Sequence, residues 1–227
     1  MKAAIPDNSA VERAIERRIQ AVQARIDVVA GARSVALVAV SKGFSAADVE
    51  AAVAAGCTRF GESYAQEFVE KWPLLRASST TMQTHFIGRL QRNKVRQIAH
   101  LVDVWESVDR ASLADEIAKR SPGARVYVQV VVTVEAGKGG CPLDEVPKLV
   151  QHCRSLGLGV DGLMTIGPTN ANVFQTRDCF RSVNLLADEL DLRDRSMGMS
   201  GDLEIAIEEG STHVRIGTAI FGERPRL

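Results

Sequence analysis

Six apolar residues in a row, Val35 to Val40 within Ser34-Val-Ala-Leu-Val-Ala-Val-Ser-Lys42, narrow the choice of fold more than any other feature of the chain. A Val-rich run this short reads as a strand. A strand apolar on both faces is buried on both, the condition of a parallel sheet covered by helices. Lys42 then stands at the strand's C-terminal end, where parallel α/β folds bind their ligands. From position alone, Lys42 is either a surface cation or an amine made nucleophilic by partial burial.

The rest of the chain repeats the strand–helix pattern. Ser9-Ala-Val-Glu12 matches a capping box, and Val11, Ile15, Ile19, Val22, Ile26 and Val29 recur at helical spacing up to Gly31, which predicts an extra helix before the first strand. Further strands are predicted over Thr58–Ser63, Thr84–Gly88, Leu101–Val108, Arg125–Thr133, Val160–Ile166, Ser196–Met199 and His213–Ile216. Between them, helices are predicted over 46–55 behind a Ser45 cap, 64–75, 93–99, 110–120 behind an Asp109 cap, 144–156, 174–190 and 203–209. Eight strands alternating with helices, with no long Pro- or Ser-rich linker, predict one (β/α)8 TIM-type barrel domain over residues 1–227. A doubly wound open sheet is the alternative.

Charge excludes some classes of partner. The 28 basic and 28 acidic residues are scattered, with no basic block to grip a nucleic acid or an anionic membrane. The apolar runs are too short for a bilayer and Met1 to Asn8 has no hydrophobic signal core, so a cytoplasmic protein is expected. Cys57, Cys141, Cys153 and Cys179 form no C-x-x-C pair, and with four histidines beside them no metal site is expected.

The last two strands run into Ser200-Gly201-Asp202 and Gly217-Thr218, small residues whose hydroxyl and backbone N–H groups suit an anion. Barrels often bind phosphate after strands seven and eight. Closure makes strand eight a neighbour of strand one, so Lys42 would face that phosphate cup. An amine opposite such a cup suits pyridoxal 5′-phosphate, and a phosphosugar would also fit.

Ala39-Val-Ser-Lys42, Phe60-Gly-Glu62 with Tyr64 and Gln66-Glu67, His85-Phe-Ile-Gly88 with Leu90-Gln91 and Asn93-Lys94, Gly162-Leu-Met164, Ser196-Met-Gly-Met-Ser200 with Asp202, and Val214-Arg-Ile-Gly-Thr218 with Ile220-Phe-Gly222 occur in that order. Together they resemble the pyridoxal phosphate homeostasis protein family, single-domain relatives of the alanine racemase N-terminal barrel. The resemblance implies that Lys42 forms the imine with pyridoxal 5′-phosphate, that Ser200, Gly217 and Thr218 hold the phosphate, and that Arg215 faces the pyridine nitrogen. Ser63, Met164, Met199 and His85 are carried over as cofactor-binding positions. On the residues alone Met164, Met197 and Met199 read as barrel lining and His85 as a hydrogen-bonded packing residue. Ser63 departs from the family's usual Asn, as does Val131 after the Gln-Val of strand five, and both are expected near the cofactor.

Racemases that resemble this chain use a second, β-rich domain that supplies a tyrosine opposite the lysine. The present chain stops at Leu227, soon after strand eight, and has only Tyr64 and Tyr127. The expectation is a monomeric binding protein that stores the cofactor and delivers it to dependent apo-enzymes, with no catalytic residue assigned. A weak amino-acid racemase and a phosphosugar-binding barrel enzyme are the alternatives.

Overall fold

The computed structural model describes residues 8–78, 82–133, 135 and 138–224. Its strands are β1 (Ala36–Val40), β2 (Arg59–Glu62), β3 (Gln83–Phe86), β4 (Val104–Val108), β5 (Arg125–Val131), β6 (Gly159–Thr165), β7 (Asp194–Ser196) and β8 (His213–Ile216). Each pairs in parallel with the next, and β8 pairs with β1 over Ala36↔His213 to Ala39↔Ile216, which closes the barrel. The open-sheet alternative is thereby excluded. An unanticipated two-residue strand, Cys141–Pro142, adds to the end of β5.

The helices are α1 (Asn8–Ala30), α2 (Ala46–Ala54), α3 (Ala65–Ser78), α4 (Val95–Ile98), α5 (Ala111–Arg120), α6 (Val146–Ser155), α7 (Val173–Glu189), α8 (Leu203–Glu208) and α9 (Thr218–Phe221). α1 buries Ile15, Ile19, Val22 and Ile26, the stripe its spacing predicts, while Val11 stays exposed. Ser45 caps α2 in a capping box with Asp48.

Three expectations are corrected and one cap is added. α1 already includes Asn8, so Ser9 lies inside its first turn instead of capping it. α5 is entered from an extended Arg110 with no side-chain cap, because Asp109 is paired with the Arg110 guanidinium. The strand predicted over Ser196–Met199 ends at Ser196, because Gly198 takes a left-handed φ of +93° and turns the chain out of the sheet. α7 is capped by Asn172 with Gln175, a capping box that sequence reading passed over.

Strand alternation sends Ala39, Phe60, Phe86 and Trp105 into the main core under the helices. The other face points into the barrel, whose small apolar cluster is Val104, Tyr127 and Met164. Around that cluster the interior is polar. Ser196 Oγ on β7 donates to Glu106 Oε2 on β4 at 2.6 Å. Because β5 and β6 lie between those strands, this bond has to cross the interior. The four cysteines are free and buried, consistent with packing. Among the described residues no helix is long and apolar enough to cross a membrane, and no group of His, Cys, Asp and Glu could hold a metal ion.

Candidate functional site

A cavity of about 170 Å³ opens at the C-terminal mouth of the barrel, lined by Lys42, Ser63, Met164, Met199, Ser200, Arg215, Gly217 and Thr218 together with Val40, Phe44, Ile87, Ile166 and Arg224. Eight residues singled out from sequence thus meet in one place. Each arrives at a strand end or in the turn after it, the part of a barrel free to vary without disturbing the core.

Lys42 is half-buried in the turn that follows β1. Burial holds its amine below the usual lysine range, helped by the Arg224 and Arg215 charges and opposed by Glu62 and Glu67. Among the described residues it has no hydrogen-bond or ion-pair partner. An amine with a lowered pKa and no fixed partner is available as a nucleophile. The hydroxyls of Ser200 and Thr218 likewise have no partner among the described residues. At Gly217 a Cβ would come within 3.2 Å of the Val40 carbonyl oxygen, so only glycine lets the two chains approach without displacement.

Arg215 reaches the cavity from below and is only 4 % exposed. Its Nη1 donates to Ser196 O at 2.6 Å and Ser196 Oγ at 2.7 Å, and its Nη2 donates to Thr165 O at 2.7 Å. Glu106 is its counter-charge one residue removed, through Ser196. Burial pushes the Glu106 carboxyl upward, but the His85 hydrogen bond and charge, the Arg215 charge and the Ser196 hydroxyl prevail and hold it down at about 2.

His85 does not line the cavity. Its Nδ1 meets Glu106 Oε1 at 2.5 Å and its Nε2 faces Gln83 Oε1 at 3.3 Å, deeper in the barrel. Both nitrogens face neighbours inside the barrel, and His85 is not brought to the cavity with the other carried-over positions. Val131 is also outside the cavity lining, whereas Ser63 is within it. Tyr127 is buried and donates to Asp194 Oδ2 at 2.8 Å. Arg224 was not anticipated: it follows the Ile220-Phe-Gly222 motif, and only closure brings it over Gly43, where a Cβ would stand 3.2 Å from Arg224 Cδ.

A closed parallel barrel with a partly desolvated lysine after β1 and hydroxyls after β7 and β8 defines a class, and the family model described as alanine racemase, N-terminal domain, matches residues 12–225. The pyridoxal phosphate homeostasis protein of Pseudomonas aeruginosa is 43% identical over 198 residues, covering 84% of this chain and 85% of the relative. That of Aquifex aeolicus is 42% identical over 180 residues, covering 74% and 78%. The chain belongs to the pyridoxal phosphate homeostasis protein family. Among solved structures, PipY of Synechococcus elongatus with pyridoxal phosphate bound superposes with a TM-score of 0.80 at 30% identity, covering 92% of this chain and 100% of that one.

Proposed function

We propose that this chain binds pyridoxal 5′-phosphate in the mouth cavity and acts in its intracellular homeostasis, storing it, delivering it to dependent apo-enzymes and limiting the free aldehyde. The observation that carries the reading is the uncommitted Lys42 amine in one cavity with the uncommitted hydroxyls of Ser200 and Thr218. The donor set fits the group: an amine for an aldehyde, hydroxyls and a close-packed glycine for a phosphate, and a buried guanidinium for a ring nitrogen. The bound ligand of the PipY relative supports it.

On this reading Lys42 holds the aldehyde carbon, Ser200, Gly217 and Thr218 hold the phosphate, and Arg215 meets the ring nitrogen. Ser63, Met164 and Met199, which line the same cavity, would stand beside the ring. When bound, pyridoxal 5′-phosphate would supply an electrophilic carbonyl able to condense with a primary amine with loss of water, and Lys42 would be the amine presented to it. Arg215 can donate a hydrogen bond to a ring nitrogen but does not give up its proton, so that nitrogen would stay unprotonated, which disfavours electron withdrawal through the ring and favours holding over turnover.

The location of the tyrosines supports a carrier over a racemase. Tyr127 is buried in the barrel and Tyr64 is outside the cavity lining, so neither stands opposite Lys42 as an acid or base. The same reading takes the chain as a monomeric cytoplasmic protein formed of one barrel domain.

The test is borohydride reduction of protein incubated with pyridoxal 5′-phosphate, then peptide mass mapping. A pyridoxyl adduct on Lys42, lost in Lys42→Ala, is the expected result. No adduct means that the mouth takes another phosphate, such as a phosphosugar. Steady-state assays on a panel of amino acids separate carrier from racemase: turnover abolished by Lys42→Ala would overturn the carrier reading.

A further inference from the structure

We propose that Lys71 is a positioning residue that, with Glu62 and Glu67, locks the turn presenting Lys42 to the cavity. The inference rests on the reading of Lys42 given above. Phe44 N donates to Ser41 O at 3.1 Å and Gly43 has a φ of +77°, which fits a type II turn over Ser41–Phe44 with Lys42 at its second position.

Every other residue of that turn is anchored to one buried group of charges. Lys71 Nζ donates to Ser41 O at 2.8 Å and to Phe44 O at 3.1 Å. It is also 2.8 Å from Glu67 Oε1 and 2.6 Å from Glu62 Oε1. Glu67 Oε1 accepts from Gly43 N at 2.8 Å, and Glu62 Oε1 accepts from Ser41 Oγ at 2.8 Å. The ends and the glycine of the turn are thus fixed from beneath, and Lys42 alone is left free.

The same geometry decides which lysine is the reactive one. Lys71 is the more deeply buried, with only 6% of its side chain exposed. An ammonium has three hydrogens, however, and Lys71 Nζ faces four acceptor oxygens, so no hydrogen or lone pair remains for a ligand. Lys71 is spent on the backbone, and that expenditure fixes where Lys42 can point. An amine held on a rigid turn reaches a carbonyl in few orientations, which is where attachment rate is won or lost.

The test compares two ligands on one set of variants. Lys71→Met keeps the unbranched stem as far as the ε position and removes the charge and donors. The rate of borohydride-trappable attachment of pyridoxal 5′-phosphate to Lys42 is expected to fall about ten- to a hundredfold, while affinity for pyridoxamine 5′-phosphate, which keeps ring and phosphate and lacks the aldehyde, stays within about twofold. Equal losses for both ligands would make Lys71 merely structural and overturn the proposal, as would an unchanged attachment rate. Lys71→Met leaves Glu62 buried without its cation, so Lys71→Met with Glu62→Gln is measured beside it. The double variant is expected to regain stability and not attachment rate, because Ser41 O and Phe44 O remain unheld; recovery of both would overturn the proposal. Failure of the unmodified protein to form any Lys42 adduct would instead refute the cofactor reading, and the proposal with it.

Discussion

Replacing Glu106 by Gln removes the stronger of the two carboxylate charges, Glu106 and Asp202, that balance buried Arg215. Two routes give the cost. Glu106 is wholly buried, and the drop of its pKa from an ordinary 4.5 to about 2 is worth about 3 kcal/mol at neutral pH. Independently, removing one member of a buried ion pair costs about 3–5 kcal/mol, because the partner charge is left uncompensated. The routes agree, and either is a large share of the roughly 5–15 kcal/mol that holds a domain together. A fall in Tm of about 6–12 °C follows for a chain of this size. The pH dependence identifies the group responsible. A carboxyl whose folded pKa is depressed stabilises the fold above its unfolded pKa, and that contribution is lost as pH falls through the window from 4.5 to about 2. Urea unfolding followed by fluorescence of the buried Trp72 and Trp105 measures it. The gap between native protein and Glu106→Gln should narrow by about 1 kcal/mol at pH 4 and about 2 kcal/mol at pH 3. A gap under about 0.5 kcal/mol at pH 7, within the range of ordinary surface changes, would refute the reasoning, as would one that does not vary with pH.

Two further substitutions probe the mouth. Ser200→Ala with Thr218→Ala should weaken pyridoxal 5′-phosphate binding about ten- to a hundredfold in a spectral titration without lowering Tm, since two hydroxyl donors are lost at an open rim; unchanged affinity would remove the phosphate from this position. Gly88→Ala should destabilise by about 1–3 kcal/mol in thermal melting, because its Cβ would stand 2.1 Å from the Ser63 carbonyl oxygen and force the ends of β2 and β3 apart; an unaltered melt would sink that packing argument.

The barrel could be read from the chain because β1 and β5 are Val-rich runs, the other strands fall between helical patterns, and α1, α2, α6 and α8 each meet a glycine stop. Gly31, Gly56, Gly157 and Gly210 all take positive φ where the helical patterns end. The residues that line the mouth cavity were legible where they follow a strand, as with Lys42, Ser200 and Thr218, whereas Arg215 entered only through the family resemblance. What escaped was set by contacts between distant segments. His85 and Glu106 belong to different strands, and no local pattern says that their side chains meet in the interior. The contacts of Lys71 were hidden for the same reason: on α3 it reads as one polar residue of a helix beside Glu67, and only the approach of β2 and the Ser41–Phe44 turn adds Glu62 Oε1, Ser41 O and Phe44 O. Arg224 reaches the cavity through closure alone. The β7 boundary moved because Gly198, unremarkable in a list of residues, turns the backbone.

The pairing of β8 with β1 has a kinetic consequence. Lys42 follows the first strand, while Ser200 and Thr218 follow the seventh and eighth, and α1 and the turn after it are tied to α8 by Arg25 Nε to Glu204 Oε1 and Arg33 Nη2 to Ile207 O, each at 2.8 Å. Contacts that distant in sequence form late, because loop-closure entropy must be overcome before they give any return. The complete mouth therefore requires the pairing of the first and last strands. A ligand that needs Lys42 and Thr218 together binds only molecules whose barrel has closed, and by mass action it slows their reopening.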